Sequence, residues 1–287
     1  MKRLAGKRLY ITGGSSGIGK ATAIEAVRAG AHVVISARGE GRLNEVLEEL
    51  KKHAGEGQIV DAVRVDIADR AQVEETASVI LEKLGGLDIL INNAGVAHVE
   101  RIEEASPDVY VRMMEINYLG TVWTTLAFVP HFQKQRSGTI AAVSSTLGLM
   151  GLVGYSAYAG SKYAITGFYD CLRQDLLKDG VQVSVMFPAD VDTPQLAEEN
   201  KIKPPETKAL ASTASLAQPE VVARAFLKGL LGGKYHIMPG FENRSILWAH
   251  HKVPWLVRWV IDRDLKKFWK KHPVGPAAGN GASEATP

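Results

Sequence analysis

Short apolar runs alternate with longer stretches of helical periodicity from the N-terminus to Phe187. A short apolar run bounded by turn residues is typical of a buried strand, whereas apolar residues recurring about every three to four positions are typical of an amphipathic helix. The predicted strands are Arg8–Thr12, Val33–Ala37, Ile59–Val65, Asp88–Asn92, Thr139–Val143 and Val181–Phe187. The predicted helices are Gly17–Ala29, Gly41–His53, Asp69–Leu84, Asp108–Phe132 and Ser156–Lys178. Because parallel strands are joined by right-handed crossovers, this alternation predicts an α/β fold with a doubly wound parallel sheet.

The alternation stops after Phe187. Residues 188–218 contain Pro194, Pro204 and Pro205 and are predicted to form an irregular insertion that acts as a substrate lid. A helix from Pro219 and a strand after it then complete a single Rossmann-like domain of residues 1–240. Residues 241–271 form an amphipathic segment rich in Trp and Lys, and the small, polar residues 272–287 predict a disordered tail.

Composition excludes several classes of protein. The formal net charge of +3 is too small to indicate a nucleic-acid partner. The single cysteine, Cys171, excludes an internal disulfide and favours a reducing compartment. We find no signal peptide and no apolar run long enough to cross a bilayer, so we expect a cytoplasmic protein. No metal site is expected, because His250 and His251 lack further ligands at a suitable spacing.

The stretch "TGGSSGIG", Thr12–Gly19, lies between the first predicted strand and the first predicted helix. Glycines permit a tight turn and a close approach to a pyrophosphate, and a helix N-terminus offers unpaired N–H groups to the phosphates. The spacing G-x-x-x-G-x-G differs from the commoner G-x-G-x-x-G, and a plain tight turn is the alternative. The predicted dinucleotide-binding residues here are Gly13, Ser15, Ser16, Gly17, Ile18 and Gly19.

Arginines follow the second strand, where an NAD-binding chain commonly has an acid. Arg38 directly follows the predicted strand Val33–Ala37, and Arg42 lies about one helical turn later. A guanidinium pairs bidentately with a 2′-phosphate, so the predicted cofactor is NADPH. After the third strand, Asp66 is predicted to accept from the adenine amino group beside Ile67; capping the next helix is its alternative role, for which Asp69 competes.

Tyr158 and Lys162 occur four residues apart in "YSAYAGSKYA". Residues at this spacing share one face of a helix. A neighbouring ammonium stabilises a phenolate, so Lys162 is predicted to lower the pKa of Tyr158 toward the range that suits proton transfer. Tyr155 and Tyr163 are predicted to serve packing only.

These features occur with further motifs in the order and spacing of a known family. The additional motifs are "NNAG" at Asn92–Gly95, Asn117 in "EINYLG", "VSS" at Val143–Ser145 and "YAGSK" at Tyr158–Lys162. The sequence therefore resembles the short-chain dehydrogenase/reductase family over the larger part of the chain.

The resemblance implies a catalytic arrangement. Ser145 would polarise the substrate carbonyl, with the adjacent Ser144 as the alternative, and Tyr158 would donate the proton. Asn117 would position a water that links Lys162 to solvent.

The resemblance also implies cofactor contacts outside the glycine-rich stretch. Asn92 would tie the central sheet together within the cofactor shell, and Gly95 would leave room for the adenosine ribose. The other implied contacts are Ala94, Tyr158, Lys162, Pro188, Val191 and Thr193.

The region after the sixth strand limits the range of possible substrates. Ala189 replaces the glycine that the family usually has there, whereas "PADVDTP", "AEEN" and "KPPET" resemble one subgroup, the 3-ketodihydrosphingosine reductases. The implied function is NADPH-dependent reduction of a long-chain amino ketone to the alcohol. The alternatives are reduction of another bulky apolar carbonyl, such as a steroid or 3-oxoacyl group, and a binding protein that senses NADPH.

Acidic residues in the same region suit an ammonium group on the substrate. The candidates are Asp190, Asp192, Glu198 and Glu199. Glu198 and Glu199 are explained equally well as a solvated face of the predicted lid.

The segment Ser245–Lys271 carries four of the chain's five tryptophans beside an excess of basic residues. Tryptophans next to a cationic face suit a helix that lies in a membrane interface. Peripheral contact with the inner membrane face is one interpretation, and packing on its own domain or on a twin subunit is the other. The family resemblance implies pairing through two long helices, hence a homodimer or homotetramer.

Overall fold

The computed structural model describes residues 2–211 and 216–272. Within them the sheet has seven parallel strands in the order β3-β2-β1-β4-β5-β6-β7, which confirms the predicted doubly wound fold. The strands are β1 (Arg8–Thr12), β2 (His32–Ala37), β3 (Val60–Arg64), β4 (Ile89–Asn92), β5 (Thr139–Val143), β6 (Gln182–Met186) and β7 (His236–Ile237).

Helices cover both faces of the sheet. Those of the first 187 residues are α1 (Gly17–Arg28), α2 (Glu40–Lys51), α3 (Arg70–Leu84), α4 (Pro107–Met113), α5 (Gly120–Gln135) and α6 (Ser156–Asp175). Those after β6 are α7 (Pro194–Ile202), α8 (Pro205–Ala211), α9 (Pro219–Leu231), α10 (Phe241–Lys252) and α11 (Pro254–Lys271).

Two predictions about helices were wrong. The single helix predicted over Asp108–Phe132 is interrupted by a π-helical turn, Met114–Leu119, between α4 and α5. The insertion 188–218 is not irregular, because it contains α7 and α8. Its prolines begin helices: Pro194 and Pro205 occupy first turns, where the missing N–H has no intrahelical partner to lose.

The alternating pleat of β1 divides the core into two layers. Leu9 and Ile11 pack against α1 and α9 on one face. Tyr10 packs on the other face with Phe128 of α5 and Tyr169 of α6. The strand order reverses between β1 and β4, so a crevice opens at the carboxyl ends of these strands.

The two predictions about the chain beyond residue 240 have different outcomes. The amphipathic segment is present as α10 and α11, whereas the tail predicted to be disordered lies, beyond His272, outside the described residues. No helix in the described part of the chain is long and apolar enough to cross a membrane.

Candidate active site

One cavity of about 1880 Å³ lies at the carboxyl ends of the central strands. It is larger than the roughly 300–1,000 Å³ of an ordinary ligand pocket. The predicted site residues line it, with four exceptions: Gly19, Asp66, Asn92 and Asn117. The structure therefore brings most of the dispersed motifs to a single crevice.

The glycine-rich turn between β1 and α1 fits closely against the loop after β4. Gly13 has φ +67°, and a Cβ there would lie 2.7 Å from the Ala94 Cα. A Cβ on Gly19 would collide with the Gly13 carbonyl oxygen, so Gly19 serves the packing of the turn and does not line the cavity. Only glycine fits at both positions without moving backbone atoms.

Asn92 does not line the cavity; its contacts agree with the predicted structural role, and its place in the cofactor shell stays a prediction. Its side chain is buried, and its Nδ2 donates to Thr125 Oγ1 (2.9 Å) and to Tyr169 Oη (2.8 Å). The next residue, Asn93, lines the cavity and donates from Nδ2 to the carbonyl oxygens of Thr12 and Gly13, both at 3.0 Å. Sequence reasoning missed Asn93, although it belongs to the same motif.

Basic groups lie where β2 ends. Arg38 and Arg42 line the cavity, and Arg38 Nη1 lies 4.0 Å from Asp66 Oδ2. Asp69, not Asp66, caps α3, because its side chain accepts from Gln72 N. The Asp66 carboxylate instead accepts from Ala68 N. Both chain neighbours of Asp66, Val65 and Ile67, line the cavity.

Helix α6 presents Tyr158 and Lys162 to the cavity from adjacent turns. Lys162 is 4% exposed, and its Nζ lies 5.6 Å from the centre of the Tyr158 ring. The same Nζ donates to the Val143 carbonyl oxygen at 3.0 Å, which anchors it at the end of β5. The predicted common face of these two residues is confirmed.

The predicted downward shift of the Tyr158 pKa is wrong in this structure. Burial raises the pKa of Tyr158, Glu199 and Asp190 raise it further, and the hydrogen bond with Ser145 opposes them. Burial also lowers the pKa of Lys162 to about 8, against an upward effect of Glu199. The cost of removing both groups from water therefore exceeds the expected stabilisation of a phenolate by the ammonium.

Ser145, not Ser144, faces Tyr158. Ser145 begins the turn after β5, where its Oγ accepts from Leu147 N (3.1 Å) and forms a hydrogen bond with Tyr158. The Oγ of Ser144 points away and donates to the Lys162 carbonyl oxygen at 3.1 Å. These contacts favour Ser145 over Ser144 as the residue that polarises the substrate carbonyl, and that role stays a prediction.

Asn117 lies in the π-helical turn and is fully buried. Its Oδ1 accepts from Val96 N (2.8 Å), and its Nδ2 donates to Val96 O and Ser161 Oγ, both at 2.9 Å. A Cβ on Gly95 would lie 3.0 Å from Asn117 Oδ1 and 3.4 Å from Lys162 Nζ. The space that Gly95 leaves open is thus bordered by both polar groups, and the relay through water stays a prediction.

Helix α7 brings two adjacent acids to the cavity, of which Glu199 is half-buried and Glu198 is exposed. Glu199 of α7 is half-buried, and its Oε2 accepts from Tyr155 Oη at 2.9 Å. Glu198 is exposed and pairs with Lys201 at 2.6 Å. Tyr155 therefore does more than pack, and its position three residues before Tyr158 is the signal that sequence reasoning missed. Thr193 caps α7 through Leu196 N and also lines the cavity.

The sequence model of one family, described as short chain dehydrogenase, matches residues 7–203. The chain belongs to the short-chain dehydrogenase family. As a short-chain dehydrogenase it is an oxidoreductase that acts on a CH–OH or C=O group. Within its described residues, no cluster of three His, Cys, Asp or Glu side chains is arranged to hold a metal ion.

Relatives of this short-chain dehydrogenase cover most of its length. A 3-dehydrosphinganine reductase of Danio rerio is 41% identical over 235 residues, which are 81% of this chain and 71% of that protein. A 3-ketodihydrosphingosine reductase of Mus musculus is 39% identical over 242 residues, covering 84% of this chain and 73% of that protein. The solved structure of a short chain dehydrogenase/reductase from Burkholderia phymatum in complex with NAD superposes with a TM-score of 0.77 at 25% identity, over 89% of this chain and 96% of that one.

Paired serine variants of this short-chain dehydrogenase test the assignment of Ser145. Ser145→Ala is expected to lower kcat by about 10²-fold, because it removes a hydroxyl donor from the reacting oxygen. Ser144→Ala is expected to keep kcat within about fivefold and to lose roughly 1 kcal/mol of stability, because its hydrogen bond is to backbone. Steady-state kinetics and urea unfolding measure the two effects, and equal losses of kcat would contradict the assignment.

Proposed function

We propose that this short-chain dehydrogenase reduces the keto group of 3-ketodihydrosphingosine, a long-chain amino ketone, to give dihydrosphingosine. The observation that carries the proposal is the lining of the cavity, in which Ser145, Tyr158 and Lys162 occur together with apolar residues of α11. The relatives from Danio rerio and Mus musculus, which are named for this activity, support the same substrate.

An apolar wall runs along α11 from its first turn to Asp264. Between Val253 and Asp264 the helix axis extends about 16 Å, long enough to lie beside an extended alkyl chain. An aliphatic wall of this length favours a flexible chain with a polar end at Tyr158. The lining residues are Val253, Leu256, Val257, Val260 and Ile261.

A nicotinamide dinucleotide is the cofactor of this enzyme, and the site fits one. The turn at Gly13 has no side chain facing the cavity, α1 presents its N-terminus there, and Gly95 lines the same cavity without a side chain to narrow it. Residues of the glycine-rich turn would hold the pyrophosphate, and Lys162 and Thr193 would hold the nicotinamide half. When bound, the reduced nicotinamide supplies the hydride.

The chain's own residues supply orientation and the proton. Ser145 would donate a hydrogen bond to the substrate carbonyl oxygen and polarise the carbonyl. The Tyr158 hydroxyl would pass its proton to the same oxygen as negative charge develops there. Because the pKa of Tyr158 is raised, this hydroxyl is protonated at neutral pH, which suits the direction of reduction.

We further propose NADPH as the natural cofactor. Arg38 and Arg42 line the adenosine end of the cavity, and Ala37 stands where an acid would repel a 2′-phosphate. A charge-assisted hydrogen bond contributes about 1.5–3 kcal/mol, so Arg38→Ala is expected to raise the Kd for NADPH by roughly 10- to 100-fold. The Kd for NADH serves as the internal control and should change less than about threefold. Fluorescence titration measures both, and equal changes for the two nucleotides would contradict the proposal.

An assay of substrate preference tests the proposed function. Oxidation of NADPH is followed with 3-ketodihydrosphingosine, a steroid ketone and a 3-oxoacyl thioester at matched concentrations. The amino ketone is expected to have a kcat/KM at least about tenfold above either competitor. Preference for the steroid or acyl ketone would assign the enzyme to the second candidate substrate class. NADPH binding without turnover of any ketone would support the sensor.

We also propose that α10 and α11 contact an anionic membrane surface, which makes this a peripheral protein of the inner membrane face. The exposed fractions of Trp248, Trp255 and Trp259 are 64%, 67% and 56%. Seven basic residues of these helices are exposed beside them, and such a surface suits the interface of an anionic bilayer. They are Lys252, Arg258, Arg263, Lys266, Lys267, Lys270 and Lys271.

A double variant tests this membrane contact. Trp255→Ala with Trp259→Ala is expected to weaken sedimentation with anionic vesicles by at least about tenfold, because two large apolar side chains no longer enter the interface. Activity on a short soluble ketone should be unchanged, since neither tryptophan lines the cavity. Unchanged vesicle binding, or dissociation of an oligomer in light scattering, would contradict the membrane contact.

The proposed assembly is a homodimer or homotetramer that pairs through α5 and α6. Exposed apolar residues on these two helices support it: Leu126 is 50% exposed and Tyr163 is 44% exposed. Sedimentation velocity of the wild-type protein tests this assembly.

A further inference from the structure

Glu199 is held beside the catalytic tyrosine by its neighbours on two helices. Its Oε2 accepts from Tyr155 Oη at 2.9 Å, and its Oε1 accepts from Gln195 Nε2 at 3.1 Å. The ring centres of Tyr155 and Tyr158 are 5.9 Å apart. The carboxylate is therefore fixed one aromatic ring away from the group that donates the proton.

Glu199 belongs to a small set of charges that act on one another across the cavity. Asp190 lines the same cavity and, with Glu199, raises the pKa of Tyr158. Lys203 lies on the other side, with its Nζ 5.9 Å from the centre of the Tyr155 ring, and it opposes the rise of the Glu199 pKa that burial causes. Lys162 is occupied at the Val143 carbonyl oxygen. Two carboxylates thus face the reacting end of the cavity.

A half-buried carboxylate needs a partner that repays its lost hydration. Each Glu199 oxygen accepts one hydrogen bond from an uncharged donor, and a carboxylate oxygen has room for another. The substrate of the proposed function carries an amino group on the carbon next to its keto group, and this group is cationic near neutral pH. A site that orients the carbonyl toward Ser145 and Tyr158 would bring that ammonium to the same end of the cavity.

We propose that Glu199, assisted by Asp190, binds the substrate ammonium that neighbours the reacting carbonyl and so selects amino ketones over uncharged ketones. The inference rests on the proposed function and assigns the recognition of the amine within it. Of the four acids that the sequence left open, Glu198 and Asp192 are exposed, and Glu198 is paired with Lys201. Tyr155 acts as a positioning residue, because its hydroxyl orients the Glu199 carboxylate.

The test compares two ketones in two variants. The substrates are 3-ketodihydrosphingosine and its analogue of equal chain length without the amino group. Glu199→Gln is expected to lower kcat/KM for the amino ketone by about 10- to 100-fold, as expected for loss of one charge-assisted hydrogen bond, and to change that for the analogue by less than about threefold. Glu198→Gln removes the same charge one residue away and should leave both values within about threefold.

A binding measurement separates recognition from catalysis. The Kd of the amino alcohol product, dihydrosphingosine, in the NADP⁺ complex should rise by a similar factor in Glu199→Gln, and that of an uncharged long-chain alcohol should not. Equal losses for both ketones, or an unchanged Kd for the product, would overturn the role of Glu199 while wild-type turnover of the amino ketone upholds the proposed function. A wild-type enzyme that does not reduce the amino ketone would overturn the proposed function and the inference with it.

Discussion

The Tyr158→Phe variant is expected to lose about 10³-fold in kcat, the middle of the range for removal of a general acid. Phenylalanine keeps the ring and its contact with the Tyr155 ring, 5.9 Å away between centres, and removes only the hydroxyl. Among the described residues, neither Ser145 nor Tyr155 is free to replace it, because Ser145 is needed to polarise the carbonyl and Tyr155 donates to Glu199.

Affinity for NADPH separates a catalytic role of Tyr158 from a structural one. The Kd of the variant should stay within about threefold of the wild-type value, because the glycine-rich turn and Lys162 are untouched. Tyr163→Phe is the matched control, since Tyr163 lies one residue beyond Lys162 and is 44% exposed. A Tyr158→Phe enzyme with wild-type kcat would remove Tyr158 from the mechanism, and loss of NADPH binding together with kcat would assign it to the fold.

The Lys162→Met variant is expected to be inactive and yet more stable than the wild type at pH 7 without nucleotide. Burial lowers the pKa of Lys162 from its ordinary 10.5 to about 8, so below pH 8 the folded protein carries a buried charge at a cost of about 3 kcal/mol. Methionine removes this charge and leaves the Val143 carbonyl oxygen without its donor, a loss of roughly 1 kcal/mol. The expected net gain in the free energy of unfolding at pH 7 is therefore about 2 kcal/mol.

The pH dependence of this gain has a definite sign. Between pH 8 and 10.5 the unfolded wild-type chain binds more protons at Lys162 than the folded chain does, so the destabilising contribution shrinks as pH rises through this window. Urea unfolding of both proteins at pH 7 and pH 9.5 should show the advantage of the variant decreasing by about 2 kcal/mol. Lys178→Met, at an exposed position beyond α6, is the control and should shift stability by less than about 0.5 kcal/mol at either pH. A variant less stable than the wild type at pH 7 would contradict the buried charge.

Local spacing predicted the parts of the site that depend on neighbours along the chain. Tyr158 and Lys162 share a face because four residues complete about one helical turn wherever the helix packs. The glycine-rich turn was recognisable because Gly13 and Gly19 meet steric demands of a strand-to-helix connection that hold in any α/β fold. The doubly wound parallel fold followed from the alternation of elements together with the handedness of crossovers, whereas the order of its strands came from the structure.

Local spacing could not predict which of two adjacent residues with similar side chains is the more buried. Asn92 and Asn93, or Glu198 and Glu199, have similar chemistry but different burial and partners, because consecutive residues point in different directions and distant elements determine which direction is covered. Asn92 is buried by α5 and α6, and Glu199 is approached by Tyr155, which is 44 residues away in the chain.

The sequence by itself determined the fold class, the shared helix face of Tyr158 and Lys162 and the place of the glycine-rich turn. The tertiary structure alone decided that Ser145 and not Ser144 meets Tyr158, that Glu199 enters the cavity, and that burial raises the pKa of Tyr158. The physical reason is that helical and pleated periods are properties of neighbouring residues, whereas burial, and the pKa values that depend on it, are set by packing between elements far apart in the chain.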